Sequence, residues 1–328
     1  MTLAAYASVD LGGTRLKALV GRDGPEVLAT RSVDTEAAEG PDHVLGRIAE
    51  LVEGLSAEAG VRVEGLAVGC PGLLDLRRGT TRFLPNLPGQ WRDVPVSARL
   101  GARLQVPVHL LNDVRMATFG ELSYGHGRRC REAGIESPTL VLLALGTGVG
   151  GGVVVDGRLR LGAVGAAGEI GHVTVQPDGL PCSCGNHGCL ETVISGPALV
   201  GEALRQLRSG RAALLREYLA GDESRLDAEL VAQAAKNGDG DALELIVRAA
   251  RFLGIAVANL VTTLSPDAVL LAGGLAGIGA PLLETVRASV RERVAMVPLE
   301  TVEIAFSELG ENAGILGGLA LAASGGRV

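Results

Sequence analysis

Aromatic residues are scarce in this chain: one Trp, three Tyr and four Phe among 328 residues. With 47% hydrophobic content, the core has to be assembled from Ala, Val and Leu. Lysine is scarcer still. Of the 30 basic residues only Lys17 and Lys236 are lysine, a bias that fits genome base composition better than function. Ala18 and Asn237 follow them, so the Gly-Lys-Ser/Thr of a P-loop is missing. No apolar run reaches the roughly 18 residues of a membrane-spanning helix. A net charge of −7 argues against a nucleic-acid partner. The five cysteines are an odd number with no signal peptide ahead of them, which points to a reducing cytoplasm and not to a disulfide framework.

Glycine is what the chain has in quantity. Its 48 glycines imply many tight turns and close backbone approaches, and the length suffices for two domains. Residues 6–20 read as strand, glycine turn, strand, and residues 139–155 echo them. Val44, Leu45, Ile48, Leu51, Val52 and Leu55 form the stripe of an amphipathic helix over 41–59. Strands are expected at 63–68, 106–111 and 267–275, an irregular connection over 73–97, and helices at 112–122, through much of 197–261, over 279–294 and over 311–324. Strands alternating with helices indicate an α/β fold. Glycines and a proline between 120 and 138 place a hinge there.

The segment from Gly168 to Glu191 is the densest in chemistry. Cys182, Cys184 and Cys189 form C-x-C-x4-C, with His172 ten residues before the first. Three thiolates and one imidazole complete a tetrahedral Zn²⁺ set with no open position, the mark of a structural site. Flanking Pro181, Gly185 and Gly188 make this a loop and not a core strand. His187, inside the loop, competes as fourth ligand. Cys70 and Cys130 stand alone as buried thiols.

Glycine turns let backbone N–H groups approach phosphate oxygens. Gly146-x-Gly148-x-x-Gly151 matches a dinucleotide fingerprint as a string, but a strand follows where a helix is required. What remains is a phosphate-binding β-hairpin, with an ordinary hairpin turn as the plain alternative for DLGGT alone. Asp10-Leu11-Gly12-Gly13-Thr14 fits it, Gly146-Thr147-Gly148 fits as a second clamp, and Gly273-Gly274 comes late in the chain. Asp10, at a strand end, is placed to hold water on Mg²⁺ between phosphates. Phosphoryl transfer to a hydroxyl also needs a carboxylate that orients it and accepts its proton. Asp113, where a buried strand meets a helix, is the candidate base, although Asn112 or Asp113 could equally be an N-cap. Carboxylates and amides that read sugar hydroxyls are available in Asn112, Glu169, His172 and Glu191, with Asn86 a weaker addition.

Taken with DLGGT at 10–14, CPG at 70–72, FLPNLPGQW at 83–91, LLNDVRMATFGE at 110–121, LGTGVGGGVVVDG at 145–157, GAAGEIGHVTV at 165–175, CSCGNHGCLE at 182–191 and LAGGL at 271–275, the sequence resembles the ROK family (repressor, open reading frame, kinase). Within it, the resemblance is to the bacterial ATP-dependent glucokinases. It implies an α/β, two-domain sugar kinase/actin-like (ribonuclease H-like) fold with a cleft between the domains. The small domain would take 1–120 with the C-terminal helix 311–328, and the large domain 121–310 with the zinc loop. ATP, Mg²⁺ and structural Zn²⁺ are implied, with Asp113 as general base. Sugar contacts would come from Gly72, Asn86, Asn112, Asp113, Glu169, His172 and Glu191. Nucleotide contacts would come from Asp10, Gly12, Gly13, Thr14, Gly146, Thr147, Gly148, Gly273 and Gly274. Zinc would sit on His172, Cys182, Cys184 and Cys189.

The expected activity is ATP-dependent phosphorylation of the 6-hydroxyl of glucose by a cytoplasmic homodimer. One departure bears on the substrate: the family's Asn-Asp-Ala-Asn reads Asn112-Asp113-Val114-Arg115 here. An amino-hexose such as kanosamine, N-acetylmannosamine or N-acetylglucosamine is therefore the alternative. A sugar-responsive repressor of the same family would carry a helix-turn-helix domain before the DxGGT motif, whereas nine residues precede Asp10.

Overall fold

The computed structural model describes residues 4–84 and 87–328. Two compact units emerge. The first comprises Met1–Pro138, Gly152–Ala167 and Glu308–Val328, and the second Thr139–Gly151 and Gly168–Ser307.

The first unit starts from a hairpin. β1 (Ala5–Leu11) and β2 (Arg15–Arg22) pair antiparallel with Leu11 opposite Leu16, and β3 (Glu26–Asp34) adds a third antiparallel strand. α1 (Pro41–Glu58) opens on a proline, tolerated there because the first helical N–H needs no partner. It buries the stripe from Val44 to Leu55 seen in the sequence. β4 (Val63–Cys70) returns parallel to β1. β5 (Leu73–Asp75) and β6 (Thr80–Phe83) make a short hairpin in what the sequence suggested was irregular chain. Elements of three and four residues are too short to show a period. α2 (Val96–Leu104) leads to β7 (Val108–Asn112), parallel to β4, and the sheet order is β3-β2-β1-β4-β7. α3 (Asp113–Ser123) follows directly, then α4 (His126–Glu132). The sequence did not anticipate α4, because its glycines suggest breaks. In the structure Gly125 stands at the N-cap and Gly134, at φ +90°, follows the last turn.

In the following stretch β8 (Leu140–Leu145) turns through Gly146–Gly148 into β9 (Val149–Val155), and β10 (Arg158–Leu159) pairs with the end of β9. α5 (Glu191–Ile194), α6 (Gly196–Arg208), α7 (Ala213–Leu219), α8 (Ala228–Lys236) and α9 (Gly240–Leu264) form the helical layer. β11 (Ala268–Ala272), α10 (Ala280–Arg293) and β12 (Glu303–Phe306) complete it, with β11 parallel to both β8 and β12. The sheet order β10-β9-β8-β11-β12 repeats the plan of the first sheet, which is what the echo of residues 6–20 in 139–155 encodes. α9 is long and apolar enough to cross a membrane by composition alone. It nevertheless packs on α10, α8 and α6, with Asp241, Glu244, Arg248 and Arg251 along its length.

α11 (Ala313–Ala323) belongs to the first unit and packs on α3, β1 and β4. Its small residues let the two helix backbones touch. A Cβ on Gly120 would run into the Ala313 carbonyl, and one on Gly317 into the Met116 carbonyl. Any side chain at either position would push the helices apart.

Candidate active site

In the first unit three parallel strands end abreast. Asp10 lies opposite Gly69 of β4, and Cys70 opposite Asn112 of β7. Asp10, Cys70 and Asn112 thus share the carboxyl edge of the sheet, where open α/β sheets bind ligands. The β1–β2 turn is closed by the Gly12 N–H, which donates to the Arg15 carbonyl at 3.0 Å. Thr35 braces it from outside, donating its hydroxyl to the Gly12 carbonyl at 2.7 Å and its N–H to the Thr14 carbonyl at 2.8 Å. Gly13 and Thr14 are left at the tip. Burial raises the pKa of Asp10, and Lys17, its register partner on β2, works against that rise. Lys17 Nζ in turn donates to Asn312 Oδ1 at 2.9 Å and the Glu311 carbonyl at 3.4 Å, just before α11.

Asn112 settles which residue caps α3. Its Oδ1 accepts from the N–H groups of Val114 and Arg115, both at 3.2 Å, and its Nδ2 donates to the Gly72 carbonyl at 3.3 Å. Among the described residues, one amide hydrogen of Asn112 has no acceptor and remains for a ligand. Asp113 is thereby the first helical residue. Its Oδ1 accepts from the Val114 N–H at 2.8 Å, and Oδ2 has no hydrogen bond from the described residues. Burial pushes the Asp113 carboxyl up to about 6; the Val114 bond and the Arg115 charge pull it down, and the nearby Asp10 adds to the rise. The Cys70 thiol is raised by burial, with Asp113 and Asp10 contributing. Arg115 is only 2% exposed and donates from Nε to the Ala167 carbonyl at 2.8 Å.

The second unit carries the other glycine turns. Ala272 of β11 pairs with Ala144 of β8, so Gly146–Gly148 and Gly273–Gly274 leave the same edge of the sheet. Gly273 adopts φ +85° and lies against the Leu145 backbone, where a Cβ has no room. Glu191, at the start of α5, accepts from the Val149 N–H through Oε2 at 2.9 Å. A Cβ on Gly148 would come within 2.6 Å of that same oxygen. The glycine turn and the Glu191 carboxylate therefore fix one another.

His172, Cys182, Cys184 and Cys189 converge, with all four ligand atoms within 4.8 Å of one another. Cys182 Sγ lies 3.6 Å from His172 Nδ1, and Cys184 Sγ lies 3.7 Å from Cys189 Sγ. Ligands about 2.3 Å from a tetrahedral Zn²⁺ stand about 3.8 Å apart, so the donors present suit that ion. His187 is exposed and stands outside the cluster. Glu169 is exposed, three residues before His172. The candidate sugar residue Asn86 lies outside the described residues.

A model of the ROK family matches residues 6–324. This chain belongs to the ROK family. It is 37% identical over 310 residues to the glucokinase of Thermotoga maritima, covering 94% of each chain. A Streptomyces griseus ROK family glucokinase solved with glucose and AMPPNP superimposes with a TM-score of 0.81 at 32% identity, covering 98% of this chain and 100% of that one. The family also includes regulators: a ROK transcriptional regulator homologous to the Escherichia coli MLC protein gives a TM-score of 0.84 at 27% identity, covering 98% of this chain and 78% of that one. The fold of this ROK protein is the actin-like fold of the sugar kinases, as its motifs imply.

Lys17 is the residue of interest that motif reading passed over. The signal was present: in a chain with 28 arginines, a lysine kept seven residues after Asp10 marks a place where a compact ammonium is wanted.

Proposed function

We propose that this protein is an ATP-dependent kinase that phosphorylates the 6-hydroxyl of glucose. The observation that carries the reading is Asp113. Its Oδ2 takes no hydrogen bond from the described residues, its Oδ1 is fixed by the first turn of α3, and burial pushes its carboxyl up to about 6, with Asp10 adding to the rise. Asp113 Oδ2 orients the sugar hydroxyl and takes its proton as the oxygen attacks the γ-phosphorus of ATP. The leaving group is ADP. Gly13 and Thr14 present backbone N–H groups to phosphate oxygens from the first hairpin, and Thr147, Gly148, Gly273 and Gly274 do so from the second unit, while the N–H groups of Gly12 and Gly146 close their own turns on the Arg15 and Gly148 carbonyls and hold those turns in shape. Asp10 offers a single carboxylate suited to water-mediated Mg²⁺, an ion that spreads the charge of the transferring phosphoryl group when bound.

Asn112 keeps one amide hydrogen for a sugar hydroxyl, and Glu169, His172 and Glu191 supply further contacts, with Gly72 held in place by Asn112. Zn²⁺ on His172, Cys182, Cys184 and Cys189 closes the loop that leads into Glu191; the set has no open position, so its role is structural. Arg115, which adds weight to the amino-hexose alternative in the sequence, turns its Nε to a backbone carbonyl. Glucose is the substrate proposed, and the amino-hexose is the alternative.

The test is ADP release with ATP and Mg²⁺ over glucose, fructose, mannose, glucosamine, kanosamine and the two N-acetylhexosamines, with Asp113→Ala as blank. Glucose is expected to lead the panel. A clear amino-sugar preference would overturn the substrate, and wild-type turnover by the blank would overturn the base. Light scattering on the eluting protein tests the homodimer, and fractionation of the source cells tests the cytoplasmic location.

A further inference from the structure

Arg115 stands two residues after Asp113 in the first turn of α3, and the catalytic reading does not use it. It is among the largest fully buried side chains of the protein. A buried guanidinium is retained only where its donors are satisfied. Here Nε meets the Ala167 carbonyl at 2.8 Å, while the Ala167 N–H donates to the Leu161 carbonyl at 3.1 Å. The second bond closes the neck of a loop, residues 161–167, and the first ties that neck to α3. The loop turns on Gly162 at φ +71° and Gly165 at φ +77°, and a Cβ on Gly165 would touch the Leu74 carbonyl and Leu76. Ala167 is also the last residue of the first unit before the chain continues to Gly168 and Glu169.

We propose that Arg115 is a positioning residue that ties the neck of the 161–167 loop to the first turn of α3, and so fixes the point from which the chain departs towards Glu169. Its backbone N–H is held by the Asn112 cap, and its side chain reaches Ala167, so one residue joins the helix that carries Asp113 to the segment that precedes Glu169. Its kinetic consequence, though not the anchor, rests on the kinase reading above.

Two substitutions separate the bond from the charge. Gln places its Nε2 at the same position along the side chain as arginine Nε, so Arg115→Gln keeps a neutral donor, whereas Arg115→Met keeps neither. Hydrogen exchange of peptides spanning 158–168 reads the anchor without any sugar. Arg115→Met is expected to speed that exchange about tenfold, the size of one net hydrogen bond, and Arg115→Gln to leave it within about twofold of wild type. Steady-state kinetics read the consequence: Arg115→Met raises the glucose KM about tenfold, with kcat and the ATP KM changed by less than about threefold, and Arg115→Gln restores it.

The pH profile of kcat/KM supplies a control on the charge. The ionisable groups facing Asp113 are Asp10 from β1, Cys70 from β4 and Arg115 itself, with Lys17 of β2 facing Asp10. Both variants remove the guanidinium, so both shift the acidic limb upward, and only Arg115→Met changes KM. Exchange unchanged in Arg115→Met, or Arg115→Gln behaving like Arg115→Met, would overturn the proposal. If Arg115→Met does not fold, Arg115→Gln decides alone: wild-type exchange upholds the anchor, and failure to fold refutes it. Should the wild type phosphorylate no hexose, the kinase reading falls while the exchange result still judges the anchor.

Discussion

Replacing Asp113 by Asn changes one oxygen for an amide nitrogen and should stabilise the protein while disabling it. The Oδ1 bond from the Val114 N–H survives the change. What disappears is a carboxylate whose pKa rises from 3.8 to about 6, chiefly because it is buried. The folded chain holds that proton more tightly than the unfolded chain. Wild-type stability therefore falls as pH rises from about 4 through about 6, and levels off above. At about 1.4 kcal/mol per pKa unit, the full penalty at high pH is about 3 kcal/mol. A small part of it is already present at pH 4, so Asp113→Asn should gain on the wild type by about 2 kcal/mol between about pH 4 and about pH 8. The assay is urea denaturation followed through Trp91, the lone tryptophan, which is buried in the first unit with Asp113. At pH 8 the variant should lose about 10²- to 10⁴-fold in kcat, as expected for a missing base. Wild-type kcat/KM should itself rise with pH through about 6 and then flatten. Stability curves that run parallel from pH 4 to 8 would refute the buried-carboxylate reasoning, whatever happens to activity.

Gly148→Ala should raise the KM for both glucose and ATP, because the new methyl meets Glu191 Oε2 and displaces a carboxylate that also holds the second hairpin; wild-type values for both would separate the turn from Glu191. Elemental analysis should find about one zinc per chain, and Cys182→Ser should lower both that content and the melting temperature. A zinc-free wild type of full stability would remove the metal from the account. Lys17→Met frees Asn312 and removes the charge that counters the raised pKa of Asp10, so the pH below which Mg²⁺ activation weakens should move upward with the glucose KM unchanged. Titration of Mg²⁺ across pH at saturating glucose and ATP reads this directly.

Local regularities made most of the architecture legible. The stripe from Val44 to Leu55 identifies α1 because 3.6-residue periodicity survives any tertiary context. The two glycine hairpins announce the duplicated sheet plan, since a turn flanked by apolar runs has few other solutions. β3 escaped because it is an edge strand with mostly exposed side chains, and β5, β6 and β12 are too short for a pattern to develop. At the site, residue types revealed the cast but not the bonding. That Asn112 spends its oxygen on the helix cap, or that Glu191 braces Gly148, depends on contacts between residues far apart in sequence. Arg115 illustrates the gap most clearly: as a letter it suggests a charged intruder in a sugar site, and in the fold it is a buried tie to a carbonyl 52 residues away.

The position of α11 carries a consequence for biosynthesis. Residues Ala313–Ala323 cover β1, β4 and α3, yet they are translated after every residue of the second unit. At about 5–20 residues per second, the ribosome spends about 10–40 s between finishing Pro138 and delivering this helix. During that interval Leu19, which packs on Ile315 and Leu319 in the mature protein, has no cover. The nascent chain would therefore present an apolar sheet face to chaperones at a stage when its second unit is already being completed. A frameshift in the last twenty codons would leave the first unit permanently open.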